Sequence, residues 1–206
     1  MLRKVSERIT SGCNRPQKLS LVLPKSRQNK RHFFRRLSQA LAAKESKVLK
    51  LYKFIDNKKY YWETWPDKDG AHVLHWGLLG TTGDTDVIND TPSESAKDII
   101  QSEIDKVLSL GYKEISQEEH VTLLIEYEVD GMGDGNDVEK RHQLEDRMNN
   151  TLGWAGLGSC DGGSIGSGTM EVCNFVVDFE LAKEVIENDL KDTEFENYTR
   201  IYQESE

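Results

Sequence analysis

The chain has 206 residues, 36% hydrophobic, 8% aromatic and 31% charged, with a formal net charge of -9, a globular profile with room for one large or two small domains. Apolar runs such as Val121 to Ile125 stop far short of the roughly 18 residues that a membrane-crossing helix needs. Three cysteines, Cys13, Cys160 and Cys173, have neither the density of a disulfide framework nor the spacing of a zinc site, so a cytoplasmic, reducing setting is expected, with no metal and no cofactor.

Charge is segregated along the chain. Residues 1 to 50 hold 14 Lys or Arg against two acids, residues 51 to 119 hold 7 against 14, and residues 120 to 206 hold 6 against 20. The basic stretch 1 to 47 is broken by Gly12, Pro16 and Pro24 and lacks a sustained apolar period, which predicts a mostly disordered tail. Within it, Phe33, Phe34, Leu37 and Leu41 fall on one face between Lys30-Arg31 and Lys44, a short basic amphipathic pattern. Arg31, Arg35 and Arg36 are its candidate nucleic-acid-binding residues. The stretch reads as a solvated tail, as an electrostatic arm for nucleic acid or anionic lipid, or as an organelle-targeting or nuclear signal if the source is eukaryotic.

From Val48 the pattern becomes strand-like, with Leu49, Leu51 and Phe54 before an Asp56-Asn57 turn and an aromatic run Tyr60, Tyr61, Trp62 and Trp65. Pro66 to Gly70 is a turn, and Ala71 to Trp76 returns as the second arm of a hairpin. Gly77, Gly80 and Gly83 then bend the chain. A helix follows, with Ser93 as expected N-cap, an inward face of Ala96, Ile99, Ile100, Ile104, Val107 and Leu108, and Gly111 at its end.

The aromatic hairpin, the run Trp76-Gly77-Leu78-Leu79-Gly80-Thr81-Thr82-Gly83-Asp84 and the helix ending in Gly111-Tyr112 together resemble a WGR domain over about residues 48 to 117. The resemblance implies a small antiparallel sheet with one packed helix. In poly(ADP-ribose) polymerases such domains bind near DNA ends, the motif tryptophan lying against a terminal sugar. Trp76 and Gly77 match the motif and are its candidate nucleic-acid contacts, whereas Leu78 stands in the arginine's place and removes a charged donor fork. Trp76, between a strand and a glycine turn, is expected to anchor packing.

Residues 120 to 206 read as a second, acidic domain. Val121, Leu123, Ile125, Tyr127 and Val129 alternate as a strand. Asp130 to Asp137 is a loop whose acids miss the EF-hand spacing, and Asp137 is the expected cap of a helix reaching Leu152 and stopping at Gly153. The glycine-rich run 153 to 168 has no lysine and no following helix, so it reads as an irregular hairpin rather than a phosphate cradle. Its Asp161, Gly162, Gly163 and Ser164 form a candidate ligand or partner loop. A strand over Thr169 to Val177, a helix capped by Asp178 and a last strand from Tyr198 to Tyr202 complete a βαββαβ order. With the glycine run, this order resembles an uncharacterised bacterial ferredoxin-like module that accompanies WGR domains. The expected class is α+β.

Catalytic patterns are thin. The five histidines show neither HExxH spacing nor a GxSxG elbow nearby, and Cys160 has an acidic neighbour that disfavours its thiolate. The expectation is a non-catalytic, bacterial-type binding or regulatory module whose partner is nucleic acid or protein. The competing class is an acidic inhibitor or immunity-like protein steered onto a basic partner.

Overall fold

A computed structural model of the chain describes residues 48 to 204. The readings placed on residues 1 to 47, Arg31, Arg35 and Arg36 among them, lie outside the described residues. The architecture is α+β: two four-stranded antiparallel sheets, one carrying a single helix and the other two.

The first sheet is a meander of β1 (Leu49–Ile55), β2 (Lys58–Pro66), β3 (His72–Leu78) and β4 (Asp84–Ile88), in that spatial order. Asp56 and Asn57, with φ of 49° and 61°, form the two-residue turn between β1 and β2, where positive φ at both positions matches the twist of the flanking strands. β4 is missing from the sequence reading. Its Asp84-Thr85-Asp86 start conceals the pairing, and such charges suit an edge strand because they discourage docking by another sheet.

Helix α1 (Ala96–Ser109) is capped by Ser95, whose side chain accepts from the Asp98 N–H, two residues beyond the expected Ser93. Its buried Ile100, Ile104, Val107 and Leu108 pack on Leu49, Leu51, Trp62 and Leu74. The register sets Trp62 opposite Trp76, so the two rings share the helix-bearing face. Helix α1 covers Trp62, which is 6% exposed, while Trp76 at the far end of that face keeps 36% exposure. The expectation that Trp76 anchors packing is therefore corrected: the anchor is its cross-strand neighbour.

Beyond a single helical turn at Gln117–Glu119 come β5 (Val121–Glu128), α2 (Gly135–Trp154), β6 (Gly158–Gly166), β7 (Thr169–Val176), α3 (Phe179–Leu190) and β8 (Arg200–Gln203). The spatial order β6-β7-β5-β8 gives the ferredoxin-like βαββαβ arrangement. Helix α2 starts three residues earlier than expected. Asp134 is its N-cap, accepting from the Asn136 and Asp137 N–H groups, and Asp137 is the reciprocal member of a capping box. The glycine run is a paired strand with a bulge between Cys160 and Gly162. The turn lies later, at Ser167 and Gly168, both with positive φ, so residues 161 to 164 are not a loop.

The largest apolar cluster belongs mainly to the second sheet and its helices, with Leu123, Ile125, Leu144, Met148, Leu152, Val172 and Ile186 buried in it, yet it also holds Tyr52, Tyr61 and Leu79 from the first sheet. The two sheets thus share a core. Truncating a buried aromatic costs about 3 to 5 kcal/mol, so Trp62→Ala should lose that much in urea unfolding, whereas Trp76→Ala should lose about 1 kcal/mol. Equal losses would contradict the assignment of the two rings.

Candidate functional site

Three surfaces carry chemistry. The first is the end of the first sheet that α1 leaves uncovered. Cross-strand register places Lys53, Tyr60 and Leu78 in one row, Ile55 and Lys58 in the row beyond it, and Trp62, Trp76 and Asp84 in the row before it. All of these point to the face that bears Trp76, because side chains two apart on a strand share a face. Trp76, Leu78, Ile55 and Lys58 are exposed, and Tyr60 and Lys53 are half-buried. The Lys53 ammonium lies 5.8 Å from the centre of the Tyr112 ring. The result is a platform of aromatic and aliphatic groups edged by lysines on one side and by Asp84 on the other.

Gly77 does not belong to that platform as a contact. It sits on the opposite face, where a Cβ would lie 2.7 Å from the Gly83 α-carbon, so its role is to let two backbone segments approach. What occupies that space is Tyr61. Its hydroxyl and ring fill the room that side chains at Gly83 and Gly156 would need.

The Tyr61 cluster is the second surface, and it joins the two sheets. His75 is fully buried, with Nδ1 2.7 Å from Glu63 Oε1 and Nε2 2.8 Å from the Tyr61 hydroxyl and 2.7 Å from the Thr82 carbonyl. A carbonyl can only accept, so Nε2 carries a proton, which leaves the Tyr61 proton for the carbonyls of Thr81, at 3.1 Å, and Trp154, at 3.3 Å. One further proton lies between Nδ1 and Glu63. The other carboxylate oxygen has no hydrogen bond of good geometry, and the Lys50 ammonium stands 3.0 Å away as its counter-charge. Burial, and secondarily the Glu63 charge, pushes the Tyr52 and Tyr61 phenols well above their ordinary range, so both remain neutral donors.

Those donors satisfy the end of α2. A helix leaves its last carbonyls without intrahelical partners. Here Gly156, with φ of 68°, makes a Schellman turn, in which the Leu157 N–H reaches the Leu152 carbonyl and the Gly156 N–H reaches that of Gly153. The next three carbonyls go to the other sheet: Trp154 accepts from Tyr61, Ala155 from the Gly80 N–H at 2.9 Å, and Gly156 from Tyr52 at 3.1 Å. Lys59 adds an ion pair to Asp178, the cap of α3. Beside the cluster, the exposed ring of Trp154 stands edge-on to Trp65, 6.4 Å between centres. The two line an apolar notch of about 250 Å³ whose walls include Val48, Lys50, Glu63, Asn149 and Gly153.

The third surface is the helix-free face of the second sheet. Asp161, Gly162, Gly163 and Ser164 do meet there, with Leu124, Glu171 and Cys173, around a shallow groove of about 280 Å³. They do so as strand residues rather than as the expected loop. The Tyr202 hydroxyl donates to Glu171 at 2.5 Å, and burial together with that bond pushes the phenol up to about 12. Burial likewise pushes the Cys160 thiol up, with Glu145, Asp161 and Asp146 adding to the effect, the wrong direction for a nucleophile. Among the described residues no group of three or more His, Cys, Asp or Glu is arranged to hold a metal ion.

Sequence reasoning found Trp76 but missed its neighbours Lys53, Lys58 and Tyr60, although the period of two along β1 and β2 carries that signal. Nothing local in the sequence marks Trp154 as the partner of Trp65. Comparison of the chain with family models, with curated proteins and with solved structures found no match.

Removing one partner of a buried hydrogen bond leaves the other group unsatisfied, at a cost of about 1 to 3 kcal/mol and more where that group is charged. His75→Phe, which takes the hydrogen-bond partner from Glu63 Oε1 and leaves only Lys50 beside the carboxylate, is expected to lose about 3 kcal/mol by urea unfolding, and Tyr61→Phe, which removes only a hydroxyl, about 1 to 3 kcal/mol. A His75→Phe protein as stable as the wild type would show that the buried cluster is not a stabilising unit.

Proposed function

We propose that the chain is a non-catalytic, WGR-type binding module, cytoplasmic in setting, that receives the end of a nucleic acid on the uncovered end of its first sheet. The observation that carries this reading is the exposure of Trp76 beside Tyr60, Leu78, Lys53 and Lys58 on one face. A ring held by a sheet and open to solvent offers a flat surface against which a terminal base or sugar can lie. Stacking of this kind contributes about 1 to 3 kcal/mol per base. An intact duplex, with its bases stacked inside, presents no such surface.

Lys53 and Lys58 give the platform a positive edge that the net charge of the segment conceals. Leu78, where the resemblance would have an arginine, leaves that edge short of a phosphate fork, and Asp84 opposes anions on the other side. Most phosphate affinity therefore falls to the basic stretch 1 to 47. The division of labour is that the tail supplies affinity and the Trp76 platform supplies selectivity for ends.

A second reading has its own observation. Beside Leu78, between the β1–β2 turn and α3, runs a cleft of about 840 Å³ lined by Lys58 and Lys59 on one side and by Asp178, Glu180, Lys183, Glu184 and Glu187 on the other. The α3 side, acidic in balance, suits a basic segment of a protein partner, as an inhibitor of a basic enzyme would require.

Fluorescence anisotropy on nicked, blunt and intact duplexes at two salt concentrations separates these outcomes. Trp76→Ala should lower affinity for ends by a factor of about 5 to 150, the equivalent of the stacking energy, without changing affinity for intact duplex. Replacing Arg31, Arg35 and Arg36 together by Glu should weaken binding to every duplex and reduce the salt slope by up to about 2.7, at about 0.9 for each phosphate no longer neutralised. Absence of binding to any duplex by the wild-type chain would overturn the nucleic-acid reading in favour of the protein partner.

A further inference from the structure

The notch between Trp65 and Trp154 lies on the opposite face of the first sheet from Trp76, and the proposed end-binding platform makes no use of it. Three rings stand steeply around it. The Trp65 and Trp154 centres are 6.4 Å apart with planes at 81°, those of Trp65 and His75 are 6.3 Å apart at 81°, and those of His75 and Trp154 are 4.9 Å apart at 65°. All three rings line the same space, which is therefore the inside of an aromatic corner rather than a slot between parallel faces. Strand register accounts for two of them, since Glu63 pairs with His75 and Trp65 follows two residues later on the same face. The last turn of α2 brings the third, Trp154, whose ring stays 47% exposed although it stands beside a shared core.

The same walls carry one charge of each sign. Glu63 lines the notch and is 4% exposed, and its Oε2 has no hydrogen bond. Lys50, which also lines the notch, pairs with Glu63 in the β1–β2 register and sets its ammonium 3.0 Å from that oxygen, while its side chain keeps 28% exposure. The notch thus offers a deeply buried negative charge and, next to it, a positive charge that reaches solvent.

These features define a ligand. Aromatic rings, tryptophan above all, attract a cation held within about 6 Å of the ring centre, and a group seated between Trp65 and Trp154 is within that reach of both. An ammonium bearing N–H groups would exchange its water for few acceptors, because Glu63 Oε1 is engaged by His75 and Asn149 Oδ1 by the Cys160 N–H. A quaternary ammonium has no N–H to leave unpaired. At about 250 Å³ the notch exceeds the roughly 150 Å³ that accommodates a benzene ring in an apolar cavity, and a trimethylammonium group has fewer heavy atoms than benzene. Lys50 would repel a bare cation, so the complementary ligand also carries an acid, set against Lys50 as its ammonium is set against Glu63.

We propose that the notch is a binding site for a small zwitterion that joins a trimethylammonium group to a carboxylate or phosphate. The ammonium sits in the corner made by Trp65, Trp154 and His75 with Glu63 as its counter-charge, and the acid meets Lys50.

The test is a titration of the full chain labelled with ¹⁵N at its four tryptophan indoles, each signal assigned by a single Trp→Phe substitution. The probes are glycine betaine, tetramethylammonium, and 3,3-dimethylbutanoate, in which carbon replaces the betaine nitrogen and removes its charge. Betaine should shift the Trp65 and Trp154 signals saturably, leave those of Trp62 and Trp76 in place, and bind more tightly than dimethylbutanoate by a factor of about 2 to 30. Trp154→Ala, at an exposed position, should abolish the betaine shift at Trp65 while the Trp62 and Trp76 signals keep their wild-type positions. Lys50→Gln should narrow the advantage of betaine over tetramethylammonium. Equal affinity for betaine and dimethylbutanoate reduces the notch to an apolar crevice and overturns the proposal, as does the absence of a saturable shift at Trp65 and Trp154. Where betaine binds, co-sedimentation with phosphatidylcholine vesicles that betaine competes away assigns the zwitterion to a lipid headgroup, and its absence assigns a free solute.

Discussion

Everything between the two sheets turns on the placement of one side chain, Tyr61. Its ring fills the space over Gly156, its hydroxyl fills the space at Gly83, and no larger residue fits at either position without displacing it. The same hydroxyl accepts from His75 and donates toward the carbonyls of Thr81 and Trp154. One residue therefore closes the β3–β4 turn, completes the hydrogen bonding of a buried histidine and caps a helix that belongs to the other sheet. The energetic reason is the cost of leaving polar groups unpaired away from water, about 1 to 3 kcal/mol for each. The first sheet cannot leave Tyr61 and Tyr52 unbonded, and α2 cannot leave its last carbonyls unbonded, so each supplies what the other lacks.

That arrangement has a consequence for function. The face of the first sheet that bears Tyr61 is committed to the junction, and most of the opposite face is covered by α1. What remains free is the end of that face, with Trp76, Leu78 and Tyr60. An exposed tryptophan on a rigid sheet is a poor contributor to stability and a good contact, because its geometry is fixed before anything binds. The lysines along its edge and the basic stretch at the start of the chain supply charge that the body, with its excess of acids, lacks. On the proposed reading, segregation of charge separates the part that would attract phosphate from the part that would recognise shape.

Strands with regular alternation were legible in the sequence. β5 and β7 declare themselves through Leu123, Ile125 and Tyr127 and through Met170, Val172 and Val176, all buried, and the βαββαβ order followed from them. The misreadings have specific causes. β4 begins with Asp84-Thr85-Asp86 and is held by pairing to β3 rather than by burial. β6 is rich in glycine, whose lack of side chain suggests a loop, yet tertiary pairing with β7 overrides local propensity. Gly153 looked like a helix stop, although the glycine that stops α2 is Gly156, followed by the apolar Leu157 that a Schellman turn favours. The junction could not have been read at all. The 93 residues or so between Tyr61 and Trp154 carry no local trace of their contact, and a buried His–Glu pair looks in sequence like any two polar residues on neighbouring strands.

The central claim, that Tyr61 makes the two sheets one cooperative unit, is tested most directly by native-state hydrogen exchange on wild-type and Tyr61→Ala chains. Amides of β2 and β7 in the wild type should open together, with a common dependence on denaturant, as members of a single unfolding unit. In Tyr61→Ala the amides of β2 should open at lower denaturant than those of β7. If the two strands still open together in the variant, with the common transition unshifted, the clasp around Tyr61 is not what couples the sheets.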